Sequence, residues 1–193
     1  MKEMNSIVQK TGGFCVIQEM FKGQVFQDSI RKYFEKDEND YLRVTSGSSI
    51  EVIPSKPIKI KGCLGNCHSM KTKTANCSKN DLIGESETDK WYLGGTDPNS
   101  CYTFFFEVDE KSTKDPKKYA FFQFLTTYKH PRGSIRLRVT TICKPYFHSF
   151  DKDRVLAGID QSAIVTAYAK YTTYKRLETD STVVIRWLDK VLI

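Results

Sequence analysis

Three patterns of apolar spacing succeed one another along the chain. Up to about Asp37, a turn signal, Thr11-Gly12-Gly13, precedes the apolar run Phe14-Cys15-Val16-Ile17, which suits a buried strand. Phe21, Val25, Phe26, Ile30, Tyr33 and Phe34 then recur at helical spacing and predict one amphipathic helix over 21–34. Turn, strand and helix together read as the tail of an α/β unit. A buried parallel strand needs neighbours on both sides, and none precedes this one. The expectation is therefore a chain that begins inside a larger domain.

From about Asn39 to Lys144 the pattern becomes that of strands. Candidates are 41–45, 49–53, 58–64, 90–94, 102–108, 119–130 and 135–143, rich in β-branched or aromatic residues and bounded by Gly, Pro, Asp, Asn or Ser. The clearest is the last, where Ile135, Leu137, Val139 and Thr141 alternate with Arg136, Arg138 and Thr140. One face is apolar and the other starts cationic. Short strands with regular turns favour a sandwich. From about Ser149 the spacing is helical again. Val155, Ile159, Ala163, Ala167 and Tyr171 predict one long helix ending near Leu177, and Asp180 or Ser181 can cap a second one with the stripe Val184, Leu188 and Val191.

The fold class implied is mixed and mainly β: an antiparallel β-sandwich, preceded by a strand–helix remnant of an α/β domain and followed by an α-helical segment. The implied division is 1–37, 38–145 and 146–193.

A mean hydropathy of -0.46 and the lack of a long apolar run exclude a membrane-spanning helix. Met1 to Lys10 carries no signal-peptide core, which points to the cytosol. There the six cysteines read as reduced thiols, with Cys15, Cys101 and Cys143 as small core residues.

Net charge is +7, which suits an anionic partner such as nucleic acid, a lipid surface or an acidic protein. Its distribution matters more than its sum. Between Pro54 and Asn80 lie Lys56, Lys59, Lys61, Lys71, Lys73 and Lys79, and no acid. An anionic bilayer stabilises each nearby basic residue by about 1 kcal/mol. Lysines on a sheet edge also simply block aggregation.

Cys63, Cys67, His68 and Cys77 depart from the C-x2-C knuckles of structural zinc and read as free thiols and a loop histidine. His68, His130 and His148 are scattered, and no nucleophile elbow, phosphate loop or paired metal-ligand helix occurs. Gly12-Gly13 and Gly94-Gly95 read as turns. Asp109, Glu110 and Asp115 sit in a lysine-laced loop and read as solvated. The phenylalanines at 104–106, 121, 122 and 124 read as core rather than as base-stacking platforms. No catalytic constellation is composed. The expectation is a non-enzymatic interaction module without cofactor or metal, whose runner-up function is a nucleic-acid-binding β-domain using the same lysines against phosphate.

Five stretches in order carry a resemblance: Thr11-Gly12-Gly13-Phe14, the run from Ile58-Lys59-Ile60-Lys61 through Gly62-Cys63-Leu64-Gly65, Arg136-Leu137-Arg138-Val139-Thr140-Thr141-Ile142, Asp160-Gln161-Ser162-Ala163 and Arg186-Trp187-Leu188-Asp189. Together they resemble the GTPase-activating subunit of the inner layer of the COPII vesicle coat, more than its cargo-selecting relative, which shares the fold. Cys143-Lys144-Pro145-Tyr146 and the loop 111–118 depart from that pattern. The resemblance implies the end of a von Willebrand A-like trunk, the β-sandwich and the start of the helical domain. It implies that a zinc finger, a gelsolin-like domain with the catalytic arginine, and an N-terminal segment completing the sandwich all lie outside this sequence. Zinc would then belong to the missing part. Expected partners of the whole protein are the cargo-selecting subunit, a Sar-type GTPase, the outer-coat subunit and acidic membrane, with no nucleic acid. The expected location is the cytoplasm, the cytosolic face of the endoplasmic reticulum and COPII-coated vesicles. Lys56, Lys59, Lys61, Lys71, Lys73, Arg136 and Arg138 would contribute to membrane contact.

Overall fold

The computed structural model describes residues 2–109, 119–145, 147 and 151–192; the loop 111–118, Glu110 and His148 fall outside them. In order the elements are α1 (Lys2–Thr11), α2 (Gln24–Tyr33), β1 (Thr45–Pro54), β2 (Ile58–Leu64), β3 (His68–Ser69), β4 (Lys90–Thr96), β5 (Thr103–Val108), β6 (Tyr119–Lys129), β7 (Ile135–Pro145), α3 (Lys152–Ala157), α4 (Gln161–Glu178) and α5 (Ser181–Leu192). All strand pairs are antiparallel. Five strands form one sheet in the order β3-β4-β1-β6-β7, and β2 and β5 form the second. The mixed, mainly β sandwich read from the sequence is the observed architecture.

The core is where the two layers face each other. Val52, Ile60, Cys63, Cys67, Trp91 and Leu93 are buried together, with Ile50, Phe104, Phe106 and Phe124 packed against them. Trp91 meets Phe104 edge-on at 5.2 Å, and Phe106 meets Phe122 at 4.8 Å. Strand pleating sends Phe105 the other way, where it lies 6.1 Å from Tyr171 of α4. The helical segment thus covers the back of the two-stranded sheet, and Trp187 of α5 packs on Tyr171 at 5.5 Å.

Register decides which face of β7 looks inward. Thr140 pairs with Phe124 and Ile142 with Phe122, both core-side residues, so Arg136 and Arg138 also lie on the core side of the sheet. The aliphatic row lies on the outer face, with Ile135, Leu137 and Val139 exposed to 76%, 64% and 51%. Every residue of β7 is exposed. The two-stranded layer is too narrow to reach over it.

Several sequence expectations fail for local reasons. Phe14 to Ile17 forms no strand, because no neighbouring strand pairs with it. Residues 41–45 give only an isolated bridge at Leu42, before β1 begins at Thr45. The first predicted helix starts at Gln24, leaving Phe21 in the preceding turn. The predicted long helix is broken: α3 stops at Gly158, and Asp160 caps α4 by accepting from the amide of Ala163 at 3.0 Å. Cys15, Cys101 and Cys143 are exposed, not core. α1 and β3 were not foreseen.

The two glycine pairs have a shared purpose. Gly12 and Gly94 both adopt left-handed backbone, at φ 64° and 68°. Their backbones touch, so that a Cβ on either would meet the other's Cα at 2.3 Å. Gly95 also donates to the carbonyl of Gly12. This contact seats the end of α1 on β4. Gly94→Ala should therefore cost about 3 kcal/mol or more in chemical denaturation. Gly47→Ala, at φ 58° in open space, should cost only about 1–2 kcal/mol. Equal losses would mean that backbone strain, not the contact, is what matters.

Candidate functional site: a divided basic surface

β2 presents Lys59 and Lys61 in alternation with buried Ile58, Ile60 and Gly62. The chain then enters a long loop that folds back on β4. Asp89, 5% exposed, fastens it: its carboxylate accepts from Thr72 Oγ1 at 3.0 Å and Thr74 Oγ1 at 2.7 Å. Glu85 accepts from the Ser69 amide at 2.7 Å, and its carbonyl takes the Trp91 indole N–H at 2.9 Å.

This fold-back brings acids to the lysines. Lys61 lies 3.5 Å from Asp81, and Lys73 2.5 Å from Glu87. Their hydrogen bond holds the Lys73 ammonium above and the Glu87 carboxyl below their ordinary values. Lys59 donates to the carbonyl of Ala75. The acid-free window between Pro54 and Asn80 is thus partly neutralised by residues just beyond it. Lys56 and Lys71 stay exposed, with no ion pair among the described residues.

Arg136 and Arg138 are exposed on β7, also without an ion pair among the described residues. They do not join the lysines. Ser55, beside Lys56, bonds Phe121, whereas Arg138 and Arg136 pair with Thr126 and Tyr128. That is five to seven residues further along β6, roughly 16–23 Å. They sit instead towards the β6–β7 turn that carries Arg132, whose guanidinium lies 4.7 Å over Tyr41, while Lys129, opposite Ile135, is on the other face of the sheet. Sequence reasoning missed this second basic stretch, although its signal is plain: residues 119–150 contain Lys129, Arg132, Arg136, Arg138 and Lys144 and no acid.

The cysteine group also separates. Cys63 and Cys67 are buried with their sulfurs 3.7 Å apart. The hydrogen bond shared with Cys67, together with burial, pushes the Cys63 thiol well up. Burial similarly pushes the Tyr102 phenol to about 12. Cys77 lies elsewhere, beside Ile60, and His68 faces Glu85. Among the described residues no three His, Cys, Asp or Glu side chains converge where a metal ion could sit. Nor is any helix among them long and apolar enough to cross a membrane.

The fold is thus a half-open antiparallel β-sandwich backed by helices. Residues 45–147 match the Sec23/Sec24 beta-sandwich domain. The chain belongs to the Sec23/Sec24 family of coat subunits. It is 32% identical over 195 residues to the protein transport protein SEC23 F of Arabidopsis thaliana, covering 99% of this chain and 25% of that protein. It therefore spans about a quarter of that relative's length. The human COPII-coat protein Sec24c shares its fold, with a TM-score of 0.61 and 16% identity over 94% of this chain and 22% of that one.

Two outcomes are expected. Asp89→Ala leaves two threonine hydroxyls without their acceptor and should cost about 2–4 kcal/mol, with amide exchange rising across 70–76; unchanged exchange there would show that the carboxylate does not hold the loop. In native protein, Cys15, Cys101 and Cys143 should react with a thiol reagent well before the buried Cys63 and Cys67.

Proposed function

We propose that this chain is a segment of the GTPase-activating subunit of the COPII inner coat, spanning the end of the trunk (1–37), the sandwich (38–145) and the start of the helical domain (146–193). The similarity to SEC23 F over 99% of the chain carries this reading. The whole protein would act on the cytosolic face of the endoplasmic reticulum. It would pair with the cargo-selecting subunit, bind a Sar-type GTPase and the outer coat, and supply an arginine finger from a domain outside these residues; its zinc would lie outside them as well. Among the described residues one edge of β7 has no partner strand, which fits a sandwich completed by a strand from elsewhere in the longer protein.

This segment's own part is scaffold and membrane contact. Of the seven basic residues expected at the membrane, Lys56, Lys71, Arg136 and Arg138 are free of ion pairs among the described residues and are the stronger contributors. Lys59, Lys61 and Lys73 are partly engaged by carbonyl or carboxylate. Cosedimentation with anionic vesicles tests this. Arg136→Glu with Arg138→Glu should lower binding about tenfold or more, at about 1 kcal/mol per charge removed. Lys61→Glu with Lys73→Glu should lower it less. Binding that is equal on neutral vesicles, or untouched by the arginine changes, would remove the membrane role. The isolated chain should leave the hydrolysis rate of a Sar-type GTPase unchanged.

A further inference from the structure

The β6–β7 hairpin turns through Pro131, Arg132, Gly133 and Ser134. Backbone bonds close it: the carbonyl of Ser134 accepts from the His130 amide at 2.8 Å, and that of His130 from the Gly133 amide at 2.7 Å. Residues 131–134 are all exposed, and nothing lies within 4 Å of the place a Cβ on Gly133 would take. The turn therefore stands clear of the rest of the molecule, and the Ser134 hydroxyl makes no hydrogen bond among the described residues. Arg132 precedes Ser134 by two residues and Arg136 follows it by two, with Arg138 beyond. None of these arginines has an ion pair among the described residues. Asp37, whose carboxylate feels the charge of His130, is occupied by the amides of Asn39 and Tyr41.

An exposed serine that no other group engages, with cations on both sides and no acid between residues 119 and 150, suits a kinase groove lined by acids, because opposite charge selects such substrates. We propose that Ser134 is a phosphorylation site for a serine kinase that selects basic flanks, and that its phosphate switches off the arginine surface of β7. The γ-phosphoryl group of MgATP passes to Ser134 Oγ; its bond to the β-phosphate oxygen breaks, ADP leaves, and the hydroxyl proton goes to the catalytic base of the kinase. The product carries a charge of about −1.5 to −2. Arg132 and Arg136 lie at most roughly 7 Å away along the backbone, inside the screening length of about 8 Å at physiological salt. The added charge therefore offsets most of what these arginines offer an anionic bilayer. This second step rests on the membrane contact proposed above.

The 193-residue chain is treated with MgATP and the catalytic domain of protein kinase C, which selects basic residues on both sides of its serine, and the product is read by mass spectrometry. Ser134 should be the hydroxyl modified fastest, and Arg132→Gln with Arg136→Gln should slow its modification about tenfold or more. Ser134→Ala should remove this signal and leave the melting curve in place. No phosphate on Ser134, or faster modification elsewhere in the chain, would overturn the site. Cosedimentation with anionic vesicles tests the switch. The phosphorylated chain should bind at least about tenfold more weakly than the unmodified one, and kinase-treated Ser134→Ala should bind as the untreated chain does. Equal binding of both forms, where Arg136→Glu with Arg138→Glu still weakens it, would overturn the switch and leave the membrane reading standing. An unmodified chain that ignores anionic vesicles would remove the membrane reading and the switch together, while the kinase reaction still decides whether Ser134 is a site.

Discussion

The packing of two strands against five governs most of what this chain does. Trp91 and Val52, on neighbouring strands of the larger sheet, are fully buried because β2 and β5 lie over them. Burial of such side chains contributes about 1.5–3 kcal/mol each. β6 is covered through Ala120, Phe122 and Phe124, whereas every residue of β7 is exposed. An eleven-residue edge strand with aliphatics on one face and arginines on the other is costly to leave open in water, since its unpaired backbone invites another strand. The same narrowness that leaves the core small creates the exposed arginine surface.

The rest of the chain serves that small core by anchoring what lies around it. The Gly12–Gly94 contact brings the N-terminal helix onto β4 at a spacing no side chain permits. Asp89 and Glu85 fasten the lysine loop to the edge where β3 forms. On the other layer, Phe105 and Tyr171 join β5 to α4. A further acid, Asp37, holds the turn before β1: the amides of Tyr41 and Asn39 donate to it and keep its carboxyl below its ordinary value. A depressed carboxylate stabilises the fold above the unfolded-state value and stops doing so as pH falls through the folded one. The turn is therefore firm at neutral pH and loosens only in acid, below the usual carboxylate range.

Much of this architecture was legible in the chain. Strand 58–64 was located to the residue, and the inward turn of Phe104 and Phe106 follows from alternation alone. What was illegible depended on distance in sequence. A buried strand at Phe14 to Ile17 requires partners, and local pattern cannot say whether they are there. The break at Gly158 and Asp160 lay beneath an unbroken four-residue repeat, because a capping carboxylate competes with the helix without disturbing its apolar spacing. Gly12-Gly13 and Gly94-Gly95 each resemble a turn in isolation; only the fold makes them a pair.

Charge carries the sharpest version of the same lesson. The lysines before Asn80 looked unopposed because a sequence window ends before Asp81, Glu85, Glu87 and Asp89 begin. A loop that folds back on itself places Asp81 beside Lys61 and Glu87 beside Lys73, and close pairing removes much of the field a distant anion would sense. The hairpin β6–β7 has the opposite geometry. Its partners in the sheet are one another and β1, so no acid from beyond 150 is carried to it by the strand pairing. An acid-free stretch keeps its charge when its own topology is local, and loses it when the next stretch folds back over it. Arg136 and Arg138 therefore remain the better candidates for an anionic surface, although the longer run of lysines is the feature that first draws the eye.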